Sequence, residues 1–401
     1  MPKAKLLFLT QTLSFPPDGG AAIRAYNVLR LLAREYDITV LCFYRRATTT
    51  DLAGSVGALR AIACTVEVFP IEQEYSRMRL AWDHTRSLVT RRAYTVYAYE
   101  SDRFRAALVD QLRSTRFDVV HVDSLDLSGY LPLLAGQTVV LGHHNVESSL
   151  LHRRAANESS PPRRAYMHHQ ARLTEREERR WLSRVALNVA VSDGDARDLA
   201  ALAPAARMAV VPNGVDVEKF VPAGSGERSG VVFVGGMSWF PNADALEYFA
   251  QEILPLIRAS DSAVSVTWVG RASQEEIERY AKMGIRLTGH VDDIRPIVDR
   301  AACCVVPLRI GGGTRLKILD GWAMGKAIVS TSIGCEGLDA IDGKNILVRD
   351  DPRSFALAVL TVLRDPLLRA SLEREGRVTA ERTYSWEVIG AAIRRAYGNA
   401  H

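Results

Sequence analysis

Short runs of β-branched and aliphatic residues alternate along this chain with amphipathic stretches of helical period, and the scheme runs through twice. Such alternation leaves few folds open. A strand, a helix and a further strand pair in parallel through a crossover, and helices then cover both faces of the sheet. Strands are expected at residues 5–9, 38–43, 65–69, 118–122, 138–141 and 187–191, with helices between them such as 22–35 and 101–114. The second series has strands at 231–234, 264–269, 302–306 and 327–331 and helices at 242–257, 274–283 and 314–324. Two tandem α/β domains follow, each a doubly wound parallel sheet. The boundary belongs in residues 212–230, rich in Pro, Gly and charge. At roughly 100–200 residues per domain, 401 residues suit this division.

With 47% apolar and 24% charged residues, there is material for two full cores. The five cysteines have neither metal-ligand nor disulfide-framework spacing and read as buried thiols in a reducing compartment. The first residues, MPKAKLLFLTQ, turn polar too early for a signal peptide and are expected to form the first buried strand. No apolar run approaches a membrane span of about 18 residues or more. A cytoplasmic protein is expected, at most attached to the inner face of the membrane. Residues 152–180 carry eight Arg against four Glu, most of the net charge of +5. This segment is either a solvated helix face or a patch for anionic membrane or a phosphorylated acceptor. No nucleic-acid-binding motif accompanies it.

In open parallel sheets, ligands bind beyond the carboxyl ends of the strands. Five motifs fall there. Pro16-Pro17-Asp18-Gly19-Gly20 precedes a helix whose free N–H groups suit an anion. Gly142-His143-His144-Asn145-Val146-Glu147 places a histidine where it can meet a substrate hydroxyl. Val211-Pro212-Asn213-Gly214-Val215-Asp216 reads as a turn shaping the crossover. Val234-Gly235-Gly236-Met237-Ser238-Trp239 lets backbone approach a diphosphate. The most specific is Gly311-Gly312-Gly313-Thr314-Arg315-Leu316-Lys317-Ile318-Leu319-Asp320, a glycine loop opening a helix expected to start near Thr314. Arg315 and Lys317 oppose the helix dipole there, so an arriving diphosphate would relieve the mismatch. Asp320, on the Lys317 face and expected two turns into the helix, suits ribose hydroxyls.

Together with Phe117–His121, Val189–Asp195, Glu336–Leu338 and Tyr384-Ser385-Trp386, these motifs resemble the retaining GT-B glycosyltransferases of family 4, in particular bacterial polysaccharide-cluster members. The resemblance covers nearly the whole chain. It implies two Rossmann-like domains facing a cleft: an N-terminal acceptor domain, residues 1–212, on which a final helix, 385–401, packs back, and a C-terminal nucleotide-sugar donor domain, 213–384. It implies His144 as the catalytic histidine near the transferred sugar. Gly19, Gly20, Gly235, Gly236, Gly312, Gly313, Thr314, Arg315, Lys317 and Asp320 are its donor-binding set, and Asn145 and Glu147 lie on the acceptor side. Where the family has two glutamates eight positions apart, this chain has Gly312 and Asp320. It also lacks the family's basic pair after the first strand of the second domain, reading Met237-Ser238-Trp239-Phe240-Pro241-Asn242.

The expected reaction is transfer of a sugar from a nucleotide-diphosphate-sugar to a saccharide or lipid-linked acceptor, with retention. The nucleotide-sugar is a co-substrate, and neither a cofactor nor a metal is required. Membrane contact would run through residues 152–180. A nucleotide-sugar epimerase of the same shape, or a non-catalytic nucleotide-sugar-binding scaffold, are the alternatives.

Overall fold

The computed structural model describes residues 3–222 and 228–398. Met1, Pro2, part of the expected boundary segment and the last three residues of the expected final helix lie outside the described residues. The chain divides into two compact units, 1–212 with 390–401, and 213–389.

The first unit is built on seven parallel strands, β1 (Ala4–Thr10), β2 (Tyr36–Tyr44), β3 (Thr65–Pro70), β4 (Val119–Val122), β5 (Val139–Gly142), β6 (Leu187–Ala190) and β7 (Met208–Val210). Their order is β3-β2-β1-β4-β5-β6-β7. β1 lies in the middle, with Leu6 opposite both Ile38 and Val119. Leu6 to Leu9 have no solvent exposure. Helices cover both faces of a parallel sheet, so its central strands read as continuous apolar runs.

The second unit repeats the plan with β8 (Val231–Val234), β9 (Val266–Val269), β10 (Ile285–Leu287), β11 (Cys303–Val306), β12 (Ile328–Ser330) and β13 (Leu347–Val348), in the order β10-β9-β8-β11-β12-β13. All its pairs are parallel. Trp268 stacks on Phe233 at 3.7 Å between ring centroids, and Trp322 is fully buried. In both sheets the order reverses between two central strands, β1 and β4, then β8 and β11. The crevices at the carboxyl ends of those pairs are where such sheets bind ligands.

Several expectations change in detail. The short strands β7, β10 and β13 escape sequence reading, because two or three residues give no period. The expected helix at 242–257 begins at Phe240 and passes through a π-helical turn, Phe249–Ile253, before resuming at Leu254. Pro255 has no N–H for the carbonyl four residues earlier, so the helical ladder shifts there. Pro161 and Pro162 open the helix Pro161–Leu182, where a missing N–H costs nothing. Four cysteines are buried and Cys64 is exposed, all as free thiols. Among the described residues no helix is long and apolar enough to cross a membrane.

The Asn213-Gly214 turn is structural, as its sequence suggests. The Val215 amide bonds the Tyr384 carbonyl at 2.7 Å, and a Cβ on Gly214 would lie 2.6 Å from the Trp386 ring. Gly214→Ala is expected to cost about 1–3 kcal/mol of unfolding free energy through overpacking, readable in urea denaturation. An unchanged midpoint would show that the Trp386 ring yields freely.

Candidate active site

In the first unit the crevice is organised by Asp123, the residue that follows β4. Its amide bonds the Leu9 carbonyl of β1 at 2.9 Å, which places it on the reversal point of the sheet. The carboxylate is 2% exposed. Oδ2 accepts from Thr10 Oγ1 at 3.2 Å and from His144 Nε2 at 3.2 Å, and Oδ1 accepts from His121 Nε2 at 3.3 Å. His121 in turn meets the Tyr397 hydroxyl through Nδ1 at 2.7 Å. Tyr397 belongs to the helix Trp386–Gly398 and is buried. A small cavity lined by Arg24, His121, Asp123, Gly142, Ile393 and Tyr397 lies alongside.

This chain of bonds decides where the protons sit. Burial drives the Tyr397 pKa up, so the phenol stays protonated and donates to His121 Nδ1. His121, pushed toward its neutral form by burial, then carries its proton on Nε2 and donates to Asp123. Burial works against the Asp123 charge, but the two histidines outweigh it and hold the carboxyl well below its ordinary range. Burial also lowers the His144 pKa. The Asp123 charge and hydrogen bond more than offset that, and the net shift is upward. With Nε2–H committed to Asp123, His144 keeps Nδ1 for a ligand, accepting when the ring is neutral and donating when it is charged.

The neighbouring residues form a half-buried acidic cluster. Asn145 Nδ2 donates to Glu147 Oε1 at 3.0 Å. Burial, with Asp126 nearby, raises the Glu147 pKa to about 7. Burial likewise raises Asp126, and takes Glu178 to about 7 despite its bonds from Ser148. His143 turns away from this group, bonding Asn188 Oδ1 at 3.0 Å, and burial lowers its pKa to about 4.

Gly19 and Gly20 are exposed at the start of the helix Gly20–Leu32, which has no side-chain cap and no acid in its first turn. Gly19 is extended (φ −138°), and nothing lies within 4 Å of where its Cβ would be. Folding therefore does not demand glycine at 19; the bare backbone leaves the helix N-terminus open to a ligand.

In the second unit, Gly235 and Gly236 follow β8, and Asn242 ties them to the facing helix. Its Nδ2 donates to the Gly236 carbonyl at 2.9 Å and its Oδ1 accepts from Lys317 Nζ at 2.7 Å. The ammonium also lies 3.8 Å from the centroid of the Phe233 ring. A Cβ on Gly235 would lie 2.6 Å from Asn242 Nδ2, so glycine is what admits this bridge. Burial, then the charge of Arg315, depress the Lys317 pKa well below its usual value.

The helix begins at Leu316 rather than near Thr314, with Arg315 as its cap residue, so Asp320 lies one turn in and not two. Asn213 Nδ2 donates to Thr314 Oγ1 at 2.6 Å, tying the loop down. Arg315, expected among the donor-binding residues, folds inward instead: it is 8% exposed and donates to the carbonyls of Gly312, Gly313 and Ile333. Gly313 takes a positive φ of 64°, which favours glycine. Arg315 thus holds the loop, and Lys317 is the cation nearer the crevice. Burial raises the half-buried Asp320 to about 7, with Lys219 pulling the other way. Among the described residues, no three His, Cys, Asp or Glu side chains gather as metal ligands.

Sequence reading missed Asp123, His121, Tyr397 and Asn242. A polar residue directly after a buried strand is the same signal that singled out His144, and it marks Asp123. Tyr397 has no such signal, because its partner is 276 residues away.

Two measurements check this geometry. Asp123→Asn removes the charge that lifts His144, so the His144 midpoint in an NMR titration is expected to fall; Tyr397→Phe is expected to alter the tautomer signals of His121 with little loss of packing. An unmoved His144 midpoint in Asp123→Asn would contradict the pairing. The stability signs are opposite. The depressed Asp123 contributes fully above the unfolded carboxylate value of 3.8, and its contribution is lost as pH falls through the folded one. The raised His144 contributes fully below 6.5, and its contribution is lost as pH rises through the folded one. The second measurement concerns Lys317: an anion bound there raises its depressed pKa, so nucleoside diphosphate binding is expected to take up protons at a pH where the free lysine titrates. Calorimetry in buffers of different ionisation enthalpy reads this, and the uptake should vanish in Lys317→Met.

The family profile described as glycosyltransferase family 4 matches residues 18–219, and that described as glycosyl transferases group 1 matches residues 228–365. A 44.6 kDa protein from a cps region of Klebsiella pneumoniae is 27% identical over 139 residues, 32% of this chain and 36% of that protein. An uncharacterized glycosyltransferase of Methanocaldococcus jannaschii is 26% identical over 108 residues, 26% of this chain and 30% of that protein. The chain thus spans about a third of the length of these curated relatives. Among solved structures, Anabaena HepE in complex with UDP and glucose superposes with a TM-score of 0.69 at 15% identity, covering 98% of this chain and 99% of that one. WaaG, a glycosyltransferase involved in lipopolysaccharide biosynthesis, superposes at 0.67 with 13% identity, covering 98% and 100%. The fold is GT-B, and with half of its length matched by the family profile the chain belongs to glycosyltransferase family 4.

Proposed function

We propose that the protein transfers a sugar from a nucleoside-diphosphate sugar to a saccharide or lipid-linked acceptor, with retention at the anomeric carbon. The observation that carries this reading is Lys317, a half-buried amine held by Asn242 at a helix start between two glycine loops. Charging a half-buried lysine whose pKa burial depresses is costly unless an anion completes it, and a diphosphate suits a helix start. Two further facts support the reading. HepE, of the same fold, is described in complex with UDP and with UDP-glucose. The Klebsiella relative comes from a cps region.

In the proposed reaction the bond from the anomeric carbon to the diphosphate breaks, and a bond to the acceptor oxygen forms on the same face. The departing phosphate takes the acceptor proton. Lys317 and the amides of the Gly312-Gly313 loop and the Leu316 helix start stabilise the charge that develops on the leaving group. His144 holds a sugar hydroxyl through Nδ1. Asn145 and Glu147 face the acceptor, Glu147 near the pH where it can donate or accept. The scheme uses no metal ion. With Gly312 in place of a family glutamate, Asp320 is the carboxyl left to read the donor, which makes Asp320→Asn a probe of donor preference.

The test is calorimetry with UDP, GDP, dTDP and ADP, followed by turnover of the matching nucleotide-sugars with and without saccharide acceptors. One nucleotide should bind, and Lys317→Met should weaken it. His144→Ala should lower turnover by about 10–100-fold, the loss of one hydrogen bond to the sugar, while nucleotide binding stays intact. Binding without turnover for any donor and acceptor would favour a scaffold, and conversion of the donor alone would favour an epimerase. No binding at millimolar nucleotide would remove the reading.

A further inference from the structure

The helix Arg77–Thr90 of the first unit carries its large apolar residues outward. Met78 is 82% exposed, Val89 78%, Trp82 60%, Leu88 48% and Leu80 41%. Five of the eleven large apolar side chains exposed among the described residues sit on this one helix. The inward face is polar instead. Asp83 and Ser87 are fully buried, Asp83 accepting from Arg79 and Gln73, and Ser87 donating to the Arg92 carbonyl. A helix that packs by its polar side and shows solvent Trp, Met, Leu and Val is inverted relative to an ordinary surface helix.

Its neighbour supplies charge. His84 meets the Tyr166 hydroxyl at 2.5 Å, Gln170 Nε2 donates to Ser87 Oγ at 2.9 Å, and Arg92 pairs with Glu177 at 2.9 Å. Contacts that advance together in number mean that the Pro161–Leu182 helix runs alongside in the same direction. Its first turn, with exposed Arg163 and Arg164, therefore lies level with the Leu80–Trp82 stretch. Every exposed charged side chain on these two helices is an arginine: Arg77 on the first, and six between Arg163 and Arg180 on the second. The acids are turned in, with Asp83, Glu177 and Glu178 buried.

We propose that this surface docks on an anionic lipid bilayer, with Met78, Trp82 and Val89 entering the interface and the arginines meeting phosphate headgroups. Apolar residues including Trp on one exposed face, flanked by arginine, are what an interfacial helix needs. A second copy of the chain is disfavoured as the occupant: a two-fold interface sets a patch against itself, which here would bring arginine against arginine. The docking does not depend on the transfer reaction and is measured without donor or acceptor.

Co-sedimentation with vesicles tests it. The protein should bind phosphatidylcholine vesicles containing phosphatidylglycerol and not phosphatidylcholine alone, and high salt should release it. The tryptophan emission should shift to the blue on binding, and Trp82→Ser should abolish that shift. Met78→Ser with Trp82→Ser, and separately Arg163→Glu with Arg164→Glu, should each weaken binding by more than about tenfold. All four positions are exposed, so circular dichroism and nucleotide affinity should match the parent protein. Failure to bind phosphatidylglycerol vesicles, or binding that both double variants leave unchanged, would overturn the proposal. A dimer that Trp82→Ser dissociates, without vesicle binding, would overturn it in favour of self-association.

Discussion

A single desolvated carboxylate organises the first unit. Asp123 has almost no access to water, and a carboxylate in that position survives only if donors replace its hydration. Thr10 from the adjacent central strand, His121 from its own and His144 from the next one do so. The anion thus joins the ends of three neighbouring strands where the sheet order reverses. It also fixes the imidazole expected to meet the sugar: without Asp123, His144 would be a half-buried ring free to choose its tautomer and driven toward neutrality by burial.

The second unit meets its crevice with opposite charge logic. There the group is a half-buried lysine, its protein partners are a neutral amide and an aromatic face, and its pKa is depressed. Asp123 is fully compensated by the protein, whereas Lys317 is not. Compensated charge holds a side chain in place; uncompensated charge makes room for a ligand of opposite sign. Arg315 shows the same distinction within one loop, since its guanidinium is used up on three backbone carbonyls.

The same weighing applies to surfaces. Where the family resemblance implies a glutamate and a basic pair, the chain has Gly312 and Met237 to Asn242. The second replacement does not leave the crevice without a cation. It supplies Asn242, which holds the lysine of the facing helix. Composition counts would score the change as a loss of charge, while the geometry shows the lysine of the facing helix positioned by Asn242.

Most of the fold was legible in the residues. The alternation of apolar runs and amphipathic stretches places ten strands and the two doubly wound sheets, because burial on both faces writes itself into every residue of a central strand. Glycine loops and the HHN turn marked the strand ends, because ligand sites lie there in any open parallel sheet. The short strands β7, β10 and β13, the π-helical turn and the true start of the Leu316 helix were beyond periodicity, since two or three residues carry no period. What only tertiary structure decided was which of the polar residues are satisfied. Arg315 and Lys317 look equivalent in sequence, yet one donates to three backbone carbonyls of its own domain and the other to the side chain of Asn242. Tyr397 reads as an unremarkable aromatic near the end of the chain, yet it sets the tautomer of His121. Hydrogen-bond partnership depends on distances between atoms far apart in the chain, and no local pattern of residues encodes it.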